Sequence, residues 1–284
     1  MSGASPPRKG ERAGIVAGRG AYPIALCEAI AARGIEVSVA CLAGQTDPRR
    51  FGAAASVRVF PLGALRAIAD YFRSRGAIAV YMVGGVERRG AIRFARPDLR
   101  SLTLLPCALF GRDDGLLRAV ADRWAALGVR IGDPRPFLGG IVSTAGRIAG
   151  PQPDQGASRD LLVAWAEARR AGAEGRGQAA LAFRGRAAGV EDRRGTDALL
   201  ALAPGPGAVL AKVATEGQDE RFDLPAIGPS TIRIARAVRL AAIGVEAGRT
   251  LVLSRPHVVE LCDAYRISLV GLTAVSPGAP RGSA

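Results

Sequence analysis

Ala13-Gly-Ile-Val-Ala17, then Gly18-Arg19-Gly20-Ala21-Tyr22-Pro23, then Ile24-Ala-Leu-Cys-Glu-Ala-Ile-Ala-Ala-Arg33 is the stretch from which the fold is read. A short apolar run, a glycine turn and an amphipathic run in succession predict a strand, a tight turn and a helix reaching about Arg33. The pattern then repeats. Ile35 to Leu42 reads as a second strand, Ser56 to Phe60 as a third, Leu62 to Arg75 as a helix and Ala77 to Val83 as a fourth strand. Alternating strands and helices predict a parallel sheet covered on both faces. Asp113 to Leu127 adds a helix, with Asp113 or Asp114 as its cap and Leu116, Leu117, Val120 and Trp124 on its buried face.

Gly and Pro gather between Gly132 and Ser158, which places a domain boundary near the start of that stretch. The expected class is α/β: a disordered extension over 1–12, a Rossmann-like domain over 13–135, a second α/β domain over 136–275 and a disordered tail over 276–284. In the second half, helices are expected over Asp160 to Ala171, after Gly195-Thr196-Asp197, over Thr231 to Ile243 and over Pro256 to Tyr265. Strands are expected at Ala179 to Phe183, Ala187 to Glu191, the apolar run from Ala208 into Lys212, Leu251 to Leu253 and Ser268 to Leu272. Their order in the sheet does not follow from the pattern.

The composition narrows the functional classes. Over 284 residues, 49% are hydrophobic and 23% charged, which is ordinary for a globular protein and excludes a disordered tail protein. The formal charge of +14 is carried almost wholly by arginine. It favours phosphate-rich partners, although an arginine-biased genome gives the same excess. Aromatics are only 5%, and no basic block alternates with stacking residues, so nucleic acid is excluded as the partner. Cys27, Cys41, Cys107 and Cys262 are widely spaced and read as small buried hydrophobes rather than a zinc or disulfide framework. The single histidine, His257, rules out a histidine-rich metal centre and reads as structural, near a helix start. Neither a signal peptide nor an apolar run of spanning length is evident, so a cytoplasmic protein is expected, one that touches a membrane face.

The densest chemistry lies in Lys212-Val-Ala-Thr-Glu-Gly-Gln218-Asp219-Glu220-Arg221-Phe-Asp223-Leu-Pro225-Ala-Ile-Gly228-Pro-Ser-Thr231. Lys212 is one of only two lysines, three carboxylates and then Arg221 follow it ahead of Asp223, and Gly228-Pro229 opens a helix. Carboxylates hold divalent metals or accept protons, and cations neutralise phosphate oxygens, so the mixture suggests phosphoryl chemistry. A solvated loop with Ser230 or Thr231 as a plain helix cap is the competing reading. Gly18 and Gly20, and Gly84 and Gly85 after the fourth strand, are places where backbone can approach a phosphate, or simply tight turns. The expected acidic residue at a ribose is missing, which disfavours a nicotinamide cofactor. Glu191, Asp197 and Asp223 are candidate oxygen ligands for Mg²⁺, with helix capping as the alternative at Asp197. Arg233, Arg236 and Arg239 form a helical stripe, either a solvated face or a contact for anionic headgroups.

Gly18-x-Gly20-x-x-Pro23, Asp113-Asp114-Gly-Leu116-Leu117-Arg118, Glu191-x-x-x-Gly195-Thr196-Asp197 and the segment from Lys212 to Thr231 together resemble the UDP-2,3-diacylglucosamine pyrophosphatases of the LpxI type. The resemblance runs from about Gly14 to Leu272. It implies a Rossmann-like N-terminal domain, a C-terminal domain particular to the family, and substrate held between them. It further implies Mg²⁺-dependent hydrolysis of UDP-2,3-diacylglucosamine to UMP and 2,3-diacylglucosamine 1-phosphate in lipid A biosynthesis, with attack at the β-phosphorus. Asp223 of Arg221-Phe-Asp223-Leu-Pro225 then stands at the catalytic position, with Lys212 and Arg221 as transition-state cations. Gln218, Thr231 and the four glycines Gly18, Gly20, Gly84 and Gly85 would serve the substrate. The partners implied are that lipid substrate and the anionic inner-membrane surface, with a homo-oligomer left open. A non-catalytic nucleotide-sugar-binding regulator, or a pyrophosphatase of a soluble nucleotide sugar, are the rival readings.

Overall fold

The computed structural model describes residues 4–86, 113–192, 194–215 and 224–273. The chain divides into two compact units, residues 1–140 with 218–224, and residues 141–217 with 225–284.

In the first unit, strands β1 (Arg12–Ala17), β2 (Glu36–Leu42), β3 (Ser56–Phe60) and β4 (Ala79–Val83) form one parallel sheet in the order β3-β2-β1-β4. Parallel neighbours require crossovers; helices supply those from β1 to β2 and from β3 to β4, and residues 43–55 join β2 to β3. Helix α1 (Tyr22–Ala31) docks on β1 and β2. Helices α2 (Leu65–Ser74) and α3 (Asp113–Ala126) bury Ile68, Phe72, Val120 and Trp124 against Val16, Ala40 and Val80. Side chains alternate along each strand, so the expected coverage of both faces is met. The Trp124 indole N–H donates to the Leu65 carbonyl at 3.0 Å, which satisfies the one polar atom of a side chain only 1% exposed.

The stretch expected to be a loose extension instead pairs from Ala4, whose N–H reaches the Ile131 carbonyl at 3.1 Å. Residues 130–132 in turn run beside β4, so Ala4 continues an existing ladder rather than trailing from it. The pairing partner lies far along the sequence, and local polarity does not reveal it.

The second unit holds a mixed sheet of β5 (Gly146–Ala149), β6 (Ala179–Phe183), β7 (Arg186–Val190), β8 (Val209–Lys212), β10 (Ala242–Glu246) and β12 (Ser268–Leu272), in the order β5-β12-β10-β8-β6-β7. Strands β8, β10 and β12 are parallel, and β6 runs antiparallel to β8. A small ribbon of β9 (Ala226–Ile227) and β11 (Leu251–Val252) stands apart. Helix α4 (Gln155–Ala173) covers one sheet face, packing Ala157, Leu161 and Ala164 on Ala182, Val209 and Ala211. Helices α5 (Thr196–Leu200), α6 (Pro229–Ala237) and α7 (Arg255–Tyr265) cover the other, over Leu181, Leu210, Ile243 and Leu269.

Two departures from expectation have local causes. Helix α6 stops at Ala237, not Ile243, because Arg239 takes a left-handed conformation with φ 57°. Its N–H donates to the Arg236 carbonyl and that of Leu240 to the Ala235 carbonyl, a paired C-terminal cap that releases the chain into β10. Glycine normally marks such a stop, and arginine hides it. Helix α4 begins at Gln155, five residues earlier than expected, because Asp154 caps it by accepting the Ala157 N–H at 2.7 Å.

Candidate functional site

Strands β8 and β10 are parallel neighbours, so their carboxyl ends, Lys212 and Glu246, come to one edge of the sheet. Strand β6 starts at that edge, with Ala179 opposite Lys212, and the Glu191 N–H following β7 donates to the Ala179 carbonyl at 2.8 Å. Strand alternation places Lys212 with Leu210 on the face covered by α5, while Glu246 turns to the face covered by α4. The topology thus gathers ionisable groups on both sides of one edge, where α/β sheets commonly bind ligands.

Lys212 is only 8% exposed and Glu191 only 7%. Burying such charges costs several kcal/mol each unless they are paired and hydrogen-bonded, to an order of magnitude. The pairing runs through Thr196. The Lys212 Nζ donates to Thr196 Oγ1 at 2.8 Å, and that hydroxyl donates to Glu191 Oε1 at 2.5 Å. The second Glu191 oxygen accepts the Gln178 N–H at 3.0 Å. Local sequence makes this possible: Gly195, at φ 88°, turns the chain directly into α5 so that Thr196 lies beneath Glu191. Just outside, Asp192 and Arg194 form an exposed pair, and hydrogen bonds from Arg194 hold the Asp192 carboxyl below its ordinary range.

On the other face, Glu246 is 6% exposed. Its Oε2 accepts the Ala214 N–H at 2.7 Å, and its Oε1 receives Arg169 of α4 at 3.3 Å and Arg249 at 3.2 Å. Its carbonyl accepts the Ser143 hydroxyl at 2.7 Å. The chain two residues beyond Lys212 is therefore tied down just before the charged segment begins.

Asp223, Arg221 and Gln218 lie outside the described residues, as does Cys107. Thr231 is the third residue of α6, and its hydroxyl accepts the Gly228 N–H at 3.4 Å, the capping geometry that was the alternative for it. Asp197 is exposed in the first turn of α5, where a carboxylate complements the helix dipole. In the first unit the two glycine turns are in direct contact. Gly18 N–H donates to the Val83 carbonyl at 2.9 Å and Arg19 N–H to the Gly85 carbonyl at 2.7 Å. A Cβ at Gly18 would lie 2.5 Å from the Gly85 carbonyl oxygen, and one at Gly84 would lie 2.7 Å from that of Arg19, so close backbone approach accounts for both. Gly20 and Gly85 have open space where a Cβ would stand. Lys212, Glu191, Asp197 and Thr231 belong to the second unit, and the four glycines to the first.

Among the described residues there is no cluster of three His, Cys, Asp or Glu side chains able to hold a metal. Mg²⁺ takes hard oxygen ligands and keeps several waters. Glu191, Asp197 and Asp223 offer hard oxygens, Glu191 keeps lone pairs beyond its two hydrogen bonds, and Mg²⁺ needs only one or two carboxylates beside phosphate oxygens and waters.

The arginine stripe is partly spoken for. Arg233 donates to His257 Nε2 at 2.9 Å, which leaves His257 Nδ1–H to donate to Glu260 at 3.2 Å, and the Arg236 guanidinium stands 5.8 Å from the Tyr265 ring centroid. Arg239 lies past the end of α6. His257 is thus bound up in a surface network between α6 and α7, as the structural reading expects. Cys27, Cys41 and Cys262 are free and buried, with thiols pushed up by burial to about 12, about 11 and about 12.

Sequence reasoning missed Glu246 with Arg169 and Arg249, and read Thr196 only as a helix starter. A carboxylate closing the apolar run Ala241-Ala-Ile-Gly-Val245 was the available signal, the same one that exposed Glu191. The helical pattern from Thr231 runs on to Ile243 and conceals it.

Comparisons with known proteins bear on the whole chain. The sequence model of the LpxI N-terminal domain matches residues 12–141, and that of the LpxI C-terminal domain matches residues 144–270. The UDP-2,3-diacylglucosamine pyrophosphatase LpxI of Caulobacter vibrioides is 32% identical over 278 residues, which cover 91% of this chain and 96% of that protein. Among solved structures, the biotin carboxylase domain of the Hydrogenobacter thermophilus 2-oxoglutarate carboxylase is 16% identical over 61% of this chain and 35% of that one. Its TM-score of 0.23 carries no argument.

Proposed function

This chain belongs to the LpxI family, and from that premise we propose that it is a UDP-2,3-diacylglucosamine diphosphatase of lipid A biosynthesis, releasing UMP and 2,3-diacylglucosamine 1-phosphate. The observation that carries the reading is the near full-length relationship to the Caulobacter vibrioides pyrophosphatase, joined to a buried cation at the end of β8 immediately before the Gln218 to Pro225 segment.

Cleavage breaks one P–O bond of the diphosphate bridge, and negative charge grows on the departing phosphate. Lys212 has three N–H donors, of which Thr196 takes one, so its ammonium can turn others toward phosphate oxygens. A cation that is already ordered and largely shielded from water stabilises developing charge better than a flexible surface lysine, because little reorganisation is needed. Arg221 is assigned a second such role and Asp223 the orientation of the attacking water. Gln218, Thr231 and the glycine turns are assigned to substrate. Mg²⁺, held by Asp223 with Glu191 and Asp197, would supply further neutralisation of the diphosphate when bound. Water then enters the sugar phosphate, with attack at the β-phosphorus and UMP as leaving group.

A diacylated substrate resides in a bilayer, and no helix among the described residues is long and apolar enough to cross one. Peripheral contact with the anionic cytoplasmic leaflet of the inner membrane, favoured by the +14 charge, is the matching mode of access. The test is product analysis in ¹⁸O-labelled water, with Mg²⁺ and with chelator. Label in the sugar phosphate and activity lost to chelator and restored by Mg²⁺ support the assignment. Label in UMP would reverse the site of attack, and activity indifferent to chelator would remove the metal.

A further inference from the structure

We propose that Thr196 is a positioning residue for Lys212, an inference that rests on reading Lys212 as the phosphate-facing cation. The assignment comes from the direction of two hydrogen bonds. An ammonium has no lone pair, so Lys212 must donate to Thr196 Oγ1 at 2.8 Å. The single hydroxyl hydrogen is then free to do one thing, and Glu191 Oε1 at 2.5 Å receives it. Glu191 cannot swing to meet the ammonium itself without giving up the Gln178 N–H that holds its other oxygen at 3.0 Å. The hydroxyl therefore links a buried cation to a buried anion while keeping them one group apart.

That separation has a functional consequence. A direct Lys–Glu ion pair would draw the ammonium toward its counter-ion and spend its charge there. With Thr196 interposed, the lysine is oriented and its positive charge remains available to a phosphate, while Glu191 keeps lone pairs beyond its two hydrogen bonds. Gly195, by its positive φ, delivers the hydroxyl to this place.

Thr196→Val preserves shape and removes the hydroxyl. With full-length protein, UDP-2,3-diacylglucosamine and Mg²⁺, kcat/KM should fall about 10–100-fold, the range expected for losing one hydrogen bond to a charged group. Thr196→Ser should restore activity to within about threefold of wild type, since it returns the hydroxyl. The Thr196→Val/Lys212→Ala double variant should be no slower than Lys212→Ala alone, because both changes remove the same interaction. A Val variant as active as wild type, a Ser variant as impaired as Val, or fully additive effects would overturn the proposal. If the Val variant does not fold, Thr196→Ala is put through the same cycle with the same readings. Inactive wild-type protein would count against the parent assignment, and thereby overturn this one also.

Discussion

Glu246 holds the backbone of Ala214: its Oε2 accepts the Ala214 N–H at 2.7 Å while Arg169 and Arg249 flank its other oxygen. The contact joins the ends of two parallel strands at the place where the chain sets out toward Gln218 and Asp223. Glu246→Ala would remove the carboxylate that Arg169, Arg249 and the Ala214 amide share. Removing one partner of a fully buried pair costs about 3–5 kcal/mol, and because these arginines keep roughly a quarter to a third of their side chains exposed, about 2–3 kcal/mol is the discounted expectation. Thermal unfolding of the variant should begin several degrees lower. An unchanged unfolding curve would mean that the carboxylate is dispensable.

Arg239 occupies a left-handed position that terminates α6. Arg239→Gly removes the Cβ clash there at some cost in unfolded-chain entropy, for a net stabilisation of about 0.5–1 kcal/mol. Urea unfolding of the two forms measures it. A destabilised glycine variant would show that the arginine side chain contributes more than its backbone costs.

The buried thiols give a pH dependence with a definite sign. Cys27, Cys41 and Cys262 have folded-state values raised from 9.0 to about 12, about 11 and about 12, because burial favours the neutral thiol. Their contribution to stability is intact below pH 9.0 and is lost as pH rises through the folded values. In a Cys107→Ser background, a thiol reagent at pH 8 should label the native protein hardly at all and the urea-unfolded protein promptly. Rapid native labelling would contradict the burial.

Much of this was legible in the sequence. The strand at 13–17, the Gly18-Arg19-Gly20 turn and the helix beyond follow from hydrophobic periodicity and glycine placement, and so does the parallel N-terminal sheet. The second sheet was less legible. Strand β10 was absorbed into α6 because its stop is made by Arg239, and β5 was hidden in a stretch whose Gly and Pro content suggests a linker. Strand order depends on which distant segments pair, and local pattern does not encode that. At the site, residue types exposed Lys212 and Glu191, but the hydroxyl between them has meaning only in three dimensions.

Association with membranes should be electrostatic and shallow. The +14 charge predicts binding to vesicles containing anionic lipid and release as salt is raised, because screening shortens the reach of surface charge. Flotation at low and high salt reads this directly. Binding that survives high salt would point to an inserted apolar surface instead.

UMP release from UDP-2,3-diacylglucosamine and from UDP-N-acetylglucosamine, with wild-type protein and Asp223→Ala in the presence of Mg²⁺, decides whether this chain is the lipid-specific diphosphatase. Wild-type protein should turn over the diacylated substrate alone, and Asp223→Ala should lose at least about 10²–10⁴-fold, the range for removing a group that acts on the attacking water. Substrate binding by that variant should change little, and Lys212→Ala should show an intermediate loss. Equal turnover of the soluble nucleotide sugar, or near-normal turnover by Asp223→Ala, would contradict that assignment.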